Sequence, residues 1–509
     1  EQRTRAADDG LSNCAYPPSE RVFLNDLLDL PQPLELNRLY NAMDDNARRA
    51  GRRSLIAGLA TWASRIGPQL IVVEDLHWAD PQTLDSLAAV MMVAIENPIA
   101  LLFTTRPDGD PFEGAWRSVG HDQPVSIINL GALRSSEARE MAAGFAHANQ
   151  ERLSECLVRA EGNPLFLEQL LQNVAETASD LVPGSIHSLV LARMDRLELL
   201  DKQALQAASV FGQNFTLAGL RDLLGTPGYD CTKLLKHQLV RPEGEDFLFA
   251  HALIRDGVYE SILTAARNQL HLQAAEWFMD TDPALHAEHL HMAGDPHAAR
   301  AYLRAACSEM TKYHHQQAIA LLEKGKSLAT EICDVVELAI TLGEARHNVG
   351  DLVNAHAAFA QALEVADNDT ARCRAWLGLA GGKRITDDLD GALADLDSAE
   401  AAARKLGLAG EQSRVHYLRG NIAFPRADTE TCLREHGAAL DFARKSGSAE
   451  LEAAALGGLA DAEYLRGRFR TASDRFAECV EISREHGFGR IHVANLPMLA
   501  FTLKWCGEV

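Results

Sequence analysis

The spacing of apolar residues changes character along the chain. Up to about Leu130, short continuous apolar runs alternate with stretches of helical period: LIVV at 70–73, IALLF at 99–103 and VSIINL at 125–130. Runs of this length, separated by helices, predict buried strands of a parallel α/β sheet. Between the first two runs, Asp80-Pro81 precedes Leu84, Leu87, Val90, Met91 and Ile95. That order predicts a helix opened by a capping carboxylate, with proline at its first position. From about Leu133 to Ser179 the period is helical, with little strand signal. Residues from about Pro183 to Ala275 mix helical periods with a Gly-rich interval, GTPGYD at 225–230, and a short FLFAH run at 247–251.

Beyond about Asp282 strand signals vanish and a turn followed by an Ala-containing helix recurs. Aligning GDLVNAHAAF (350–359), DDLDGALADL (387–396) and GRFRTASDRF (467–476) puts Ala355, Ala392 and Ala472 in register, with Cys432 in the same slot of RADTETCLRE. The steps are 37, 40 and 40 residues, and Ala318 precedes Ala355 by 37 more. Small residues at a fixed period let neighbouring helices approach closely, so the pattern predicts stacked helical hairpins, each burying its face on the next. It resembles tetratricopeptide repeats in a loose form, longer than their usual ~34-residue period. Gly507-Glu508 falls 40 residues after Gly467-Arg468, so the array is expected to stop at a turn. The mixed segment around FLFAH suits a winged-helix unit.

Composition narrows the function classes. The 509 residues are 47% hydrophobic and 24% charged, an ordinary globular balance that permits several cores. A formal net charge of −22 with no compensating basic patch argues against nucleic acid and anionic membrane as partners. The longest apolar runs, such as 88–95, fall well short of the ~18 residues of a spanning helix. Nine cysteines without a C-x-x-C pair argue for reduced thiols and a cytoplasmic setting. The clustered His286, His289, His291 and His297 lack a known metal-ligand spacing and are expected on polar positions of the first repeat helices.

Candidate chemistry concentrates in LIVVEDLHWADPQTLD at 70–85. Glu74 and Asp75 leave the C-terminal end of a strand, where open α/β sheets bind ligands. This is a Walker B arrangement, in which the first acid, Glu74, holds Mg²⁺ through water and the second, Asp75, orients or deprotonates an attacking water. Solvated acids at a strand end are the plainer alternative. The next strand ends in Thr104, Thr105 and Arg106, and an Arg fork suits phosphate. Trp78 is expected to pack.

EDLHWAD, TTRP, GNPLFLEQL and FLFAHALIRDGVYESIL, in this order, resemble the signal-transduction ATPases with numerous domains, in the branch of cyclase-linked ATPases and large LuxR-type activators. The resemblance implies that Arg106, with Thr105, senses the γ-phosphate, that Pro164 and Asn163 lie on the adenine side, and that His251 sits near the β-phosphate of ADP. It implies ATP/ADP and Mg²⁺ as cofactors. The family's G-x-x-x-x-G-K-[ST] loop is not found before Leu70; Gly325-Lys326-Ser327 is expected inside a repeat helix, Gly382-Lys383 is followed by Arg384, and neither follows a strand. The chain is therefore expected to carry half a nucleotide site and to be inactive as an ATPase by itself.

The expected fold is thus an incomplete P-loop α/β portion at 1–132 and a helical lid at 133–180, then a winged-helix-like arm at 181–280 and tetratricopeptide-like repeats at 281–509. The expected function is an ATP/ADP-dependent signalling switch within a larger regulator with a cyclase or transcriptional output. A protein or peptide partner is expected on the repeats, with nucleotide-dependent oligomerisation of the whole protein. The rival expectation is an interaction scaffold whose ATPase region is vestigial.

Overall fold

The computed structural model describes residues 20–107, 110–112, 116, 125–144, 150–176 and 185–508. Its elements begin with α1 (Arg21–Leu27), α2 (Leu34–Ala42), α3 (Asp45–Ile66), β1 (Gln69–Val73), α4 (Pro81–Ala94) and β2 (Ile99–Phe103). There follow α5 (Ser135–Ala143), α6 (Gln150–Arg159), α7 (Pro164–Glu176), α8 (Ile186–Met194), α9 (Leu199–Phe211), β3 (Asn214–Phe215), α10 (Leu217–Leu224), α11 (Thr232–Lys236), β4 (Val240–Glu243), β5 (Asp246–Phe249) and α12 (Ala252–Glu260). Helices then run without strands: α13 (Thr264–Phe278), α14 (Pro283–Ala293), α15 (Ala298–Thr311), α16 (His315–Leu328), α17 (Ile332–Asn348), α18 (Leu352–Val365), α19 (Asp369–Ile385) and α20 (Leu389–Leu406). The last are α21 (Ala409–Ala423), α22 (Thr429–Ser446), α23 (Ala449–Leu465), α24 (Phe469–His486) and α25 (Gly489–Cys506). The chain divides into two compact units. One joins residues up to 126 with 309–319 and 330–509, and the other joins 127–308 with 320–329.

In the first unit β1 and β2 pair in parallel, from Gln69↔Ile99 to Val73↔Phe103. The connecting α4 starts as its sequence predicts, with Asp80 Oδ1 accepting the Gln82 and Thr83 N–H groups at 2.8 and 2.9 Å ahead of Pro81. Val73, Leu101 and Phe103 pack with Leu84, Leu87 and Met91 of α4. Two sequence expectations fail here. The run at 125–130 is not a strand; Ile128 and Leu130 are 79% and 93% exposed. The four apolar residues of β1 are not buried throughout, because among the described residues α4 packs on one face and Leu70 and Val72 on the other stay exposed. An apolar run records affinity for a core, whereas pairing and cover depend on neighbours the run does not encode. Among the described residues the expected P-loop sheet is therefore two strands.

The same unit holds the repeat array, in which α17 to α25 pack each on the next in sequence order. We call α17, α19, α21, α23 and α25 the A helices, and α18, α20, α22 and α24 the B helices. Asp351, Asp388 and Asp428 cap α18, α20 and α22 by accepting backbone N–H groups three residues on. Ala355, Ala392, Cys432 and Ala472 are all buried in one equivalent slot of the B helices, as their register predicts.

One turn further lies a second repeated position, Phe359, Leu396, His436 and Phe476, each at most 2% exposed. The ring of Phe359 fills a hole floored by Gly343 of α17 and Gly378 of α19, where a Cβ would come within 2.7 and 2.5 Å of ring atoms. His436 fills the next such hole, between Gly420 of α21 and Gly458 of α23, where Cβ atoms would lie 2.5 Å from its Nε2 and its Nδ1. Each B helix thus drives one side chain between two A helices, and at these two positions only a missing Cβ leaves room.

Among the described residues the second unit holds three cores, one of them formed by Ala287, Ala301 and Tyr302 with Leu290, Leu321 and Leu328 of α14–α16. Helices α5–α7 enclose Cys156, Leu167, Leu170 and Leu171. Helices α8–α13 enclose Leu205, Phe215, Leu234, Phe249 and Val258 beside an antiparallel sheet of order β3-β5-β4. His286 and His289 of α14 are buried at 6% and 5%, not on a polar helix face as expected. His289 Nδ1 lies 2.9 Å from His271 Nδ1 of α13, and His286 Nδ1 lies 2.8 Å from the Ala275 carbonyl. Core histidines with partners of this kind look in sequence like surface ones.

Burial pushes the His436 imidazole down to about 4. The neutral ring is favoured in the folded array, so its contribution is complete above the ordinary histidine value of 6.5 and is lost as pH falls toward 4. Wild-type stability is expected to fall between these values by up to about 1.4 kcal/mol per pH unit from this residue. In His436→Phe that part of the slope should vanish in denaturant melts at pH 7 and pH 4.5. Gly458→Ala should cost about 1–3 kcal/mol at either pH, because the ring has to move.

Candidate functional site

The parallel register brings Glu74 and Asp75, after β1, level with Thr104, Thr105 and Arg106, after β2. The two strand ends are tied together. Thr104 N–H donates to the Val73 carbonyl at 3.0 Å, and Leu76 N–H donates to the Thr104 carbonyl at 2.8 Å. Asp75 N–H donates to Thr104 Oγ1 at 2.9 Å. Asp75 itself has φ 54° and ψ 45°, the left-handed conformation, which costs a non-glycine residue roughly 1–2 kcal/mol. The threonine hydroxyl and the following turn of 3₁₀ helix (Leu76–Trp78) hold the residue there. Glu74, Asp75 and Arg106 are exposed at this edge, so two carboxylates and a guanidinium stand free of the core. Trp78 is 68% exposed, against the expected packing role, and its ring lies 5.0 Å from that of His77.

The remaining residues implied by the resemblance lie in the second unit. Asn163 Oδ1 accepts the Phe166 N–H at 3.1 Å, and Pro164 takes the first position of α7. Gly162 before them has φ 79°, and a Cβ there would meet the Leu133 carbonyl at 2.8 Å, so glycine fits where a side chain does not. His251 caps α12, its Nδ1 accepting the Leu253 N–H at 3.2 Å. Both sites therefore have local structural duties at helix starts.

A cluster that the sequence gives no sign of joins the N-terminal helices to residues 309–319 of the same unit. Asp26 of α1 accepts from Tyr40 Oη at 2.6 Å and from Arg52 Nη1 at 2.8 Å, and lies 3.3 Å from His314 Nε2. His314 Nδ1 lies 2.7 Å from Glu309 Oε2. Burial acts to raise Asp26, but the hydrogen bonds from His314 and Tyr40 and the charge of Arg52 outweigh it and hold the carboxyl below its usual range. Hydrogen bonds to Asp26 and Glu309 push His314 up to about 9. Fully buried Arg48 donates from Nε and Nη2 to the Tyr40 carbonyl, with its guanidinium carbon 3.7 Å from the Tyr313 ring centroid. Residues 26, 40, 48, 52 and 314 follow no common period, so only spatial convergence identifies them.

Across the array, ion pairs link neighbouring helices: Arg374 of α19 to Glu337 of α17 at 2.7 Å, and, between successive helices, Arg419 to Glu400 at 2.6 Å and Arg444 to Glu452 at 2.7 Å. The A helices repeat partly exposed aromatic and polar positions, among them Trp376, His416 and Tyr417. Among the described residues no group of three or more metal-ligating side chains converges, and no helix is long and apolar enough to cross a membrane.

No family model matches the chain. An uncharacterized protein of Rhizobium meliloti (strain 1021) is 26% identical over 263 residues, 47% of this chain and 24% of that protein. The chain thus spans about a quarter of that relative's length. A signal-transduction ATPase with a tetratricopeptide repeat sensor from Pyrococcus horikoshii is similar in structure at TM-score 0.40 and 17% identity, covering 99% of this chain and 78% of that one. Aspartyl phosphate phosphatase F of Bacillus subtilis (TM-score 0.33, 10% identity, 74% and 96% covered) and yeast Tom70 (0.30, 12%, 93% and 92%) are also similar. At scores this low, function has to be argued from the residues themselves.

His314 is expected to titrate near 9 in a histidine NMR titration of the full chain, and to fall toward 6.5 in Asp26→Asn. Its raised value stabilises the fold fully below 6.5, and the gain is lost as pH rises through about 9. A wild-type His314 titrating at 6.5 would remove the charged bridge.

Proposed function

We propose that the repeat array is an interaction surface for a protein or peptide partner. The carrying observation is the common register of the B helices at Ala355, Ala392, Cys432 and Ala472, which would stack the A helices roughly 8–10 Å apart with equivalent side chains in rows. Such a face reads an extended or helical ligand at several points at once. A photocrosslinking residue at exposed Arg414 of α21 is expected to capture the partner in the full-length protein, and one at Val353 of α18 is not. Equal capture from both positions counts against a face on the A helices.

A second reading is supported by one observation, the paired strand ends with Asp75 held left-handed. In it, Glu74 would bind Mg²⁺ through water, Asp75 would orient the attacking water, and Arg106 with Thr105 would face the γ-phosphate. Asn163 and Pro164 would serve the adenine side and His251 the β-phosphate of ADP, as the resemblance implies, and the chain would be a nucleotide-dependent switch in a larger regulator with a cyclase or transcriptional output. Residues 133–180 and 181–280 would serve as lid and winged-helix-like arm, the assembly state would follow the nucleotide, and the setting would be cytoplasmic. Glu74 and Asp75 fit a hydrated divalent ion, since both are free carboxylates at one strand end.

The 509-residue chain is expected not to turn over ATP. In the full-length protein, Glu74→Gln and Asp75→Asn are expected to lower hydrolysis by about 100-fold or more while leaving equilibrium ATP affinity within a few-fold. Full-length protein that binds no ATP but still captures its partner at Arg414 would leave the scaffold reading alone.

A further inference from the structure

Helix α3 starts on a capping carboxylate, with Asp44 accepting the Ala47 N–H, and its opening turns carry Arg49, Arg52 and Arg53. Residues at this spacing, i, i+3 and i+4, share one face of a helix. Helix α4 packs on α3, and its Gln82, Asp85 and Ser86 repeat the same spacing. The six side chains line one open cleft of about 270 Å³ between the two helices, within the first unit.

The α3 wall of this cleft is fixed from behind. Asp26 accepts from Arg52 Nη1 at 2.8 Å, and Asp45 pairs with Arg49 Nη2 at 2.6 Å. Arg52 is 7% exposed, and its Nε is buried without a hydrogen-bond partner. A guanidinium carries donors only, and a buried donor left unsatisfied is costly. Among the described residues, exposed Arg53 takes part in no ion pair, and neither does exposed Asp85 on the facing wall. With Arg49 and Arg52 matched by Asp45 and Asp26, the cleft is left with one free cation on α3 and one free carboxylate on α4. The start of α4 adds no free N–H groups at Gln82 or Thr83, since Asp80 accepts from both. This polarity suits a ligand with an anionic end for α3 and a hydrogen-bond donor for α4. One guanidinium fork takes up both oxygens of a carboxylate, whereas a phosphoryl group offers further oxygens to a second arginine.

We propose that the α3–α4 cleft binds a small phosphate ester, its phosphoryl oxygens accepting from Arg52 and Arg53 and a hydroxyl group of the ester donating to Asp85. Arg49, held by Asp45, flanks the phosphoryl group as a fixed positive charge, and Gln82 and Ser86 offer neutral hydrogen bonds along the α4 wall. The site calls for no metal ion and uses none of the strand-end residues Glu74, Asp75, Thr105 and Arg106.

The test is calorimetric titration of the full 509-residue chain, with EDTA present, by glycerol 3-phosphate, inorganic phosphate and serine in turn. Glycerol 3-phosphate should bind about ten-fold or more tighter than inorganic phosphate, which has no separate hydroxyl to place on Asp85. Serine, with a carboxylate and an ammonium, should bind more weakly than the ester. Arg53→Gln should weaken glycerol 3-phosphate binding about ten-fold or more and leave the melting temperature unchanged, since the side chain is exposed. Arg52→Lys keeps a cation for Asp26 and removes the Nε donor, so it should weaken both phosphates while the chain still melts cooperatively. In Asp85→Ala the two phosphates should bind within a few-fold of each other, because the contact that separates them is gone. The proposal is overturned by the absence of binding heat from glycerol 3-phosphate at millimolar concentration, or by an affinity that Arg53→Gln does not move. Tighter binding of serine than of the ester also overturns it, and equal affinity of the wild type for both phosphates overturns the contact with Asp85.

Discussion

The array depends on one steric constraint, the insertion of a B-helix side chain between two neighbouring A helices. Phe359 and His436 reach that position because Gly343, Gly378, Gly420 and Gly458 carry no Cβ. Interiors packed at crystal-like density have no slack for an added methyl group, so each inserted ring fixes the distance and rotation of two helices at once. The caps at Asp351, Asp388 and Asp428 and the buried slot from Ala355 to Ala472 set helix starts and allow close approach. They do not by themselves choose how far one hairpin rotates against the next. The inserted side chain does.

His436 occupies this position where other repeats use Phe or Leu. A neutral imidazole packs like a small aromatic ring, but a protonated one carries a charge into a site from which water is excluded, where it is strongly disfavoured. His314 shows the opposite case. It is half-buried between two carboxylates, so its charged form is the favoured one. The same residue type therefore adds stability on opposite sides of neutrality, according to whether its neighbours are glycines or acids.

The strand-end site and the array differ in how far the sequence disclosed them. The spacing of Glu74–Asp75 and Thr104–Thr105–Arg106 after two apolar runs foretold their meeting at one edge, because parallel pairing of strands of equal length brings their ends level. The capped start of α4 was legible for a similar reason, as capping depends on residues within one turn. The third apolar run was misread and the cover on β1 overestimated, since neither is a local property. The charge cluster at Asp26 was invisible, as its members come from 26, 40, 48, 52 and 314 and meet only after folding.

Sequence alone determined what is written within about forty residues: helix starts, the repeat period, and the small-residue slot at 355, 392, 432 and 472. These follow from backbone geometry and side-chain size, which act between near neighbours. Tertiary structure decided the rest. It made His286, His289 and His436 core residues, left Leu70, Val72 and Trp78 exposed, and seated α2 on Gly489. Whether an apolar or ionisable side chain is buried depends on what packs over it, and that partner lies up to several hundred residues away in the chain.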